Sequence, residues 1–175
     1  MTTVKERVVQ FVMDARASFF TVQAFAAGMV AVVAHSPKFA VRDFVGEISF
    51  APENPEKSSV KLTMNATSLG LMDEVKASDR REIERVMFDE VLEKNRYPKI
   101  EYKSTRVTAT KSAENIYLVT AFGELELHGT TRGLKLDAQV VVGEESIKAQ
   151  GAFSAMQSDF GLKITSRPTL SRKKG

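Results

Sequence analysis

Between Val60 and Ala66 the chain alternates without a slip. Val60, Leu62, Met64 and Ala66 share one side, and Lys61, Thr63 and Asn65 share the other. Leu134, Leu136, Ala138, Val140 and Val142 repeat the pattern against Lys135, Asp137 and Gln139. Successive side chains of a strand point to opposite faces, so each run offers one face to a core and one to water. That is the habit of antiparallel sheets, whereas buried parallel strands are apolar on both faces. The same period, less regular, covers Val8 to Met13, Phe19 to Phe25, Ala40 to Phe50, Ile100 to Ala109, Ile116 to Leu127 and Ile147 to Met156, which makes about eight strands.

Short turn signals separate the runs, at Pro52 to Pro55, Ala113 to Asn115, His128 to Thr131 and Gly143 to Ser146, so neighbours in sequence are expected to pair in space. One segment breaks the period. Ile83, Val86, Met87 and Val91 fall on one helical face, Asp79 and Glu82 are spaced like a capping box, and Pro98 closes the stretch, which predicts a helix over about 76–94. Ala24 to Ala34 is apolar for eleven residues, too short for a bilayer that needs about 20, and predicts a short helical plug over about 27–34. The expected fold is mainly β: a closed antiparallel barrel of about eight strands, because closure removes exposed edges. A barrel of that size has room for one small ligand. A single domain over 1–166 with a basic tail over 167–175 follows.

The charge supports this division. The net charge is +3 with a pI near 9.1, but four of the 25 basic residues lie in the last nine positions beside no acid, leaving 21 bases against 22 acids in 1–166. A nucleic-acid surface would need basic residues gathered on the folded body, and no such stripe is present. Cysteine is absent, so disulfides and thiolate metal sites are excluded. His35 and His128 are the two histidines, and neither has metal-site spacing. No GxSxG, Walker or GxGxxG motif occurs, and Asp159-Phe160-Gly161 lacks the other parts of a kinase. An enzyme with His35 as general base is the least favoured reading. Binding without catalysis is the reading the residues support.

Several strings, in order and spacing, resemble the YceI-like family of polyisoprenoid-binding proteins. They are SFFTVQAF at 18–25, Gly28 to Ala34 leading into His35-Ser36-Pro37, FAVRDFVGEISFAP at 39–52, the charged stretch from Lys76 through Tyr97-Pro98 to Tyr102, GELELHGTTRGLKL at 123–136 and QSDFGLK at 157–163. The resemblance runs from about Ser18 to Leu162. It implies a lipocalin-like barrel whose apolar interior holds the tail of a prenyl diphosphate or quinone, hence a carrier or store with no cofactor. By motif position it singles out His35, His128, Gly129, Asp159, Phe160 and Gly161, whose role is either structural or functional.

The expected lining, from the inward faces, is Phe20, Val22, Phe44, Ile48, Leu62, Met64, Leu134, Leu136, Val140 and Phe153, and the expected occupant is an isoprenoid, quinone or fatty molecule. The competing reading is a ligand-free barrel that works through its surface as a protein-interaction or stress-response module. Where the family runs into a final strand, Ser166 to Gly175 has neither alternation nor bulk and contains Pro168, so an open seam and a homodimer are expected. Met1 to Asp14 alternates charge and hydrophobe without the features of an export signal. A cytoplasmic protein with no membrane span is therefore expected, or a periplasmic one if the start is incomplete.

Overall fold

In the computed structural model, residues 7–24 and 37–162 are described. They form ten strands: β1 Val9–Val12, β2 Phe20–Gln23, β3 Lys38–Val41, β4 Phe44–Phe50, β5 Ser59–Asn65, β6 Leu69–Leu71, β7 Lys99–Ala113, β8 Ile116–Leu127, β9 Thr130–Val142 and β10 Ile147–Ala152. A helix, α1 Ala77–Arg85, continues as a π-helical stretch Val86–Val91 between β6 and β7. The expected plug at 27–34, His35 and the tail at 167–175 lie outside the described residues.

The strands make two antiparallel sheets rather than one closed barrel of eight. Seven run in the order β1-β4-β5-β7-β8-β9-β10, and three in the order β2-β3-β6. The large sheet curls strongly into a half-barrel. The curl brings the Phe50 ring of β4 to 6.2 Å from the Tyr117 ring of β8, although β5 and β7 lie between those strands in the sheet. Among the described residues β1 and β10 are its two edges and do not pair with each other.

Two sequence readings are corrected by the same corner. The run Ala40 to Phe50 splits at Arg42-Asp43, where the chain leaves the small sheet for the large one. Asp43 secures the break: its amide donates to Ser68 Oγ at 2.9 Å, its carbonyl accepts from the Asn65 amide at 2.9 Å, and its carboxylate accepts from Asn65 Nδ2 at 3.1 Å. The same corner starts β6, three buried residues with no polar partner face and therefore no alternation to read.

The helix falls where its apolar period placed it, and Ile83, Val86, Met87 and Val91 are all buried. Its start differs: Lys76 is the N-cap and makes no side-chain cap, because Asp79 already lies inside the first turn. The π stretch widens the turn to five residues, and the charge pairs follow, Arg85 with Glu90 at 3.2 Å and Lys94 with Asp89 at 3.8 Å. The helix covers the outer edge of β6. Arg80 donates to the carbonyls of Leu71 and Asp73, and Glu84 accepts from the Leu71 amide at 3.0 Å. Backbone groups that an edge strand would leave open are thus satisfied by side chains.

A candidate apolar ligand site inside the half-barrel

Register identifies the inward face of each strand. Phe44, Gly46, Ile48 and Phe50 of β4 align with Met64, Leu62 and Val60 of β5, and Met64 and Leu62 with Ile100 and Tyr102 of β7. Beyond a register shift at Ser104/Arg106, the face continues as Val107, Ala109 and Lys111. It then crosses Tyr117, Val119, Ala121, Gly123 and Leu125 of β8 to Val140, Ala138, Leu136 and Leu134 of β9, and ends on Ala149 and Gly151 of β10. Between the floor described below and Lys111 at the far rim, this face carries no charge.

Its two halves differ. At the base, Phe39, Val41, Leu69 and Leu71 of the small sheet, Ile83, Val86 and Met87, and Phe44, Met64, Ile100, Tyr102, Leu125 and Phe160 form one buried cluster. Phe20 meets Phe44 edge to face at 4.7 Å. Met13 lies over Gly46, where a methyl group would come within 2.5 Å of its sulfur. Phe20, Leu62, Leu134 and Leu136 pack against this cluster from the side. The base is filled, and of the ten residues expected to line a cavity, Phe20, Phe44, Leu62, Met64, Leu134 and Leu136 belong to it.

Tyr102 ends the filled part. Its ring extends across Gly123, and its hydroxyl points between the carbonyls of Ala121 at 3.1 Å and Leu134 at 3.3 Å, spanning three strands. A methyl group on Gly123 would stand 2.7 Å from that hydroxyl, so glycine is what lets the ring lie flat. Burial pushes the Tyr102 phenol up. The hydroxyl remains a donor at physiological pH and the ring acts as a floor.

Beyond the floor the inward face is apolar but, among the described residues, incompletely covered. Ala121, Val107, Phe50 and Ala51 are buried outside the base cluster. Tyr117, Val119, Ala138 and Val140 are half-buried, and Ala149 and Gly151 are exposed. Phe153, just past the end of β10, is 48% exposed. Ile48 is half-buried on β4. Val22 stands opposite Phe39 on the small sheet and is 41% exposed, away from this trough. Tyr117, Val119, Ala138 and Ala149 were not singled out in the sequence. Their neighbours Leu118 and Val141, apolar too, sit on the outer face and blur the alternation.

A surface depression of about 560 Å³ lies on that side of β7, β8 and β9, among Thr108, Leu118, Val119, Thr120, Ala138 and Gln139. It is wide open, and apolar Leu118, Val119 and Ala138 line it beside threonine and glutamine side chains. Thr120 Oγ1 donates to Asp137 Oδ1 at 2.6 Å, which together with Lys135 holds the Asp137 carboxyl below the usual range. The depression lacks the enclosure of a site that surrounds a long apolar molecule.

The motif residues converge at the base. His128 and Gly129 form the two-residue turn between β8 and β9, with φ of 55° and 67°. Nδ1 of His128 lies 3.1 Å from the Phe160 carbonyl, and Nε2 meets the Glu93 carboxylate. The Tyr97 ring stands 4.7 Å from the imidazole and close enough to Gly129 to bar a side chain there. Gly161, φ 65°, completes the turn after Phe160, and Asp159 is exposed. Glu93 and Tyr97 are partners that sequence spacing did not reveal. Among the described residues no group of three or more His, Cys, Asp or Glu is placed to hold a metal ion, and no helix is long and apolar enough to cross a membrane.

A strongly curled antiparallel sheet with an apolar inner face and, among the described residues, one α-helix makes a lipocalin-type fold. The chain belongs to the YceI-like family: the family model for the YceI-like domain matches residues 11–173. The crystal structure of BcnA from Burkholderia cenocepacia superposes with a TM-score of 0.66 at 17% identity, covering 85% of this chain and 84% of that one. A mutant CJ YceI protein made for nanotechnology applications gives 0.55 at 17% identity over 70% and 69% of the two chains. A second mutant of that protein, with a monobromobimane guest, gives 0.54 at the same identity and coverage. No curated protein matches the chain in sequence. At these identities the likeness is one of fold.

Proposed function

We propose that the protein binds and carries or stores a long apolar molecule of the isoprenoid class, with its tail in the trough beyond Tyr102. The observation that carries this reading is the uncharged inward face of Tyr117, Val119, Ala138 and Val140, which continues past the filled base and is only half-buried among the described residues. Such a face is unfavourable in water, and an apolar chain laid on it gains about 0.8 kcal/mol for each buried CH₂. Measured affinities level off near roughly −18 to −21 kcal/mol, so summed area alone does not select the tail. Family membership supports the reading. No catalytic step is part of it.

Native mass spectrometry of freshly purified protein tests the reading. It is expected to show a co-purified isoprenoid, quinone or fatty molecule. A protein free of ligand that also fails to take up a prenyl alcohol favours the scaffold alternative. The reading includes a homodimer, since among the described residues β1 and β10 each present an edge, and Val12 of β1 and Val8 just before it are exposed. Light scattering at micromolar concentration is expected to give twice the chain mass, and a monomer would contradict this part.

A further inference from the structure

We propose that His128, Glu93 and the carbonyl of Phe160 form an acid-labile clasp that fastens the C-terminal turn Gln157–Phe160 to the base of the half-barrel. Three segments distant in sequence meet here: Glu93, two residues past the π stretch, the β8–β9 turn and the 3-10 turn. Glu93, His128 and Gly161 all adopt left-handed backbone, with φ of 47°, 55° and 65°. That conformation is costly for residues with a β-carbon and concentrates where a structure needs a side chain aimed in one direction. Asparagine is the preferred first residue of a two-residue hairpin of this kind. A histidine there gives up turn preference and gains the two contacts.

The proton inventory sets the response to pH. A carbonyl can only accept, so Nδ1 carries a proton toward Phe160, and one further proton is shared between Nε2 and the Glu93 carboxylate. The His128 side chain is 14% exposed. Other charged and titratable groups are few: Arg96, 3.5 Å from Glu93, and Tyr97 from the same loop, exposed Asp159 from the 3-10 turn, and exposed Glu126 and Arg132 on the flanking strands. Once Glu93 is protonated, the half-buried His128 side chain loses its charged partner. Hydrogen bonding to His128, then the charges of His128 and Arg96, hold the Glu93 carboxyl below its ordinary value of 4.5. A depressed folded-state value means stability that is complete above pH 4.5 and disappears as pH falls through the folded-state value. The clasp therefore loosens in acid below that pH. Its release frees Phe160, which is part of the base cluster.

Amide hydrogen exchange tests the clasp without any ligand. Asp159, Gly161 and Leu162 donate their amides to Met156, Ser158 and Gln157 at 3.1, 3.3 and 3.1 Å, so their protection factors report the turn. His128→Asn preserves the left-handed hairpin, and is expected to lower protection at these three amides about tenfold at pH 7 while hairpin amides keep theirs. Wild-type protection is expected to fall in acid below pH 4.5. Glu93→Gln retains an acceptor but cannot ionise, and is expected to lack that acid step. Equal protection of the turn in wild type and His128→Asn at pH 7 would overturn the proposal, as would the same acid profile in wild type and Glu93→Gln.

Discussion

The base of the half-barrel and its far end are made from the same strands and obey different physics. At the base, β7, β8 and β9 are covered by the small sheet, the helix and the turn at Phe160, and their inward side chains interlock. Toward the far end, β7, β8 and β9 run on as long strands whose inward residues past Val107 and Ala121 are at most half-buried. The base supplies the stability. The far end keeps an apolar surface that the described residues leave without a complete cover. A carrier needs both, because a core that is filled cannot accept a ligand and an open sheet without a filled core does not hold its shape.

Substitutions at the two ends separate these roles. The largest effect is expected at the base: Phe39→Ala or Ile83→Ala, each removing a side chain with no exposed surface, should cost about 2–5 kcal/mol in denaturant unfolding. Val140→Trp at the far end should abolish uptake of a prenyl alcohol. The half-open site leaves room for the ring, so stability should change by less than about 1.5 kcal/mol, the scale of a tolerated apolar swap. Gly129→Ala should cost roughly 1–2 kcal/mol through left-handed backbone alone, with more from the 2.5 Å approach to Tyr97, and should not alter uptake. The smallest effect belongs to Arg85→Ala: its pairs with Glu82 and Glu90 lie on an exposed surface, and the melting temperature should stay within error.

What could be read in advance divides along the same line. The alternation at Val60 to Ala66 and Leu134 to Val142 located β5 and β9 because one face of each meets water. The helix was legible because Ile83, Val86, Met87 and Val91 keep a helical period on one buried side. Sheet β2-β3-β6 was not: Leu69–Leu71 is buried on both sides, and the turn at Arg42-Asp43 depends on contacts with Asn65 and Ser68 more than 20 residues away. The filling of the base was equally hidden, since nothing local to Gly46 announces Met13 and nothing local to Gly123 announces Tyr102. The trough residues were partly hidden because Leu118 and Val141 place apolar side chains outside. His128 and Phe160 stood out as motif positions. Their joining through Glu93 needed three left-handed residues that sequence spacing does not encode.

The alternation itself offers the most direct test of ligand binding inside the curl. Val119 and Val140 face the trough, while Leu118 and Val141, their immediate neighbours, face the outer surface. Methyl-resolved NMR during titration with a prenyl alcohol compares the two faces within one experiment. Saturable shifts at Val119, Ala138 and Val140, with Leu118 and Val141 unmoved, are the predicted result. Shifts confined to Leu118 and Val141, or none at either face, would contradict a ligand site inside the half-barrel.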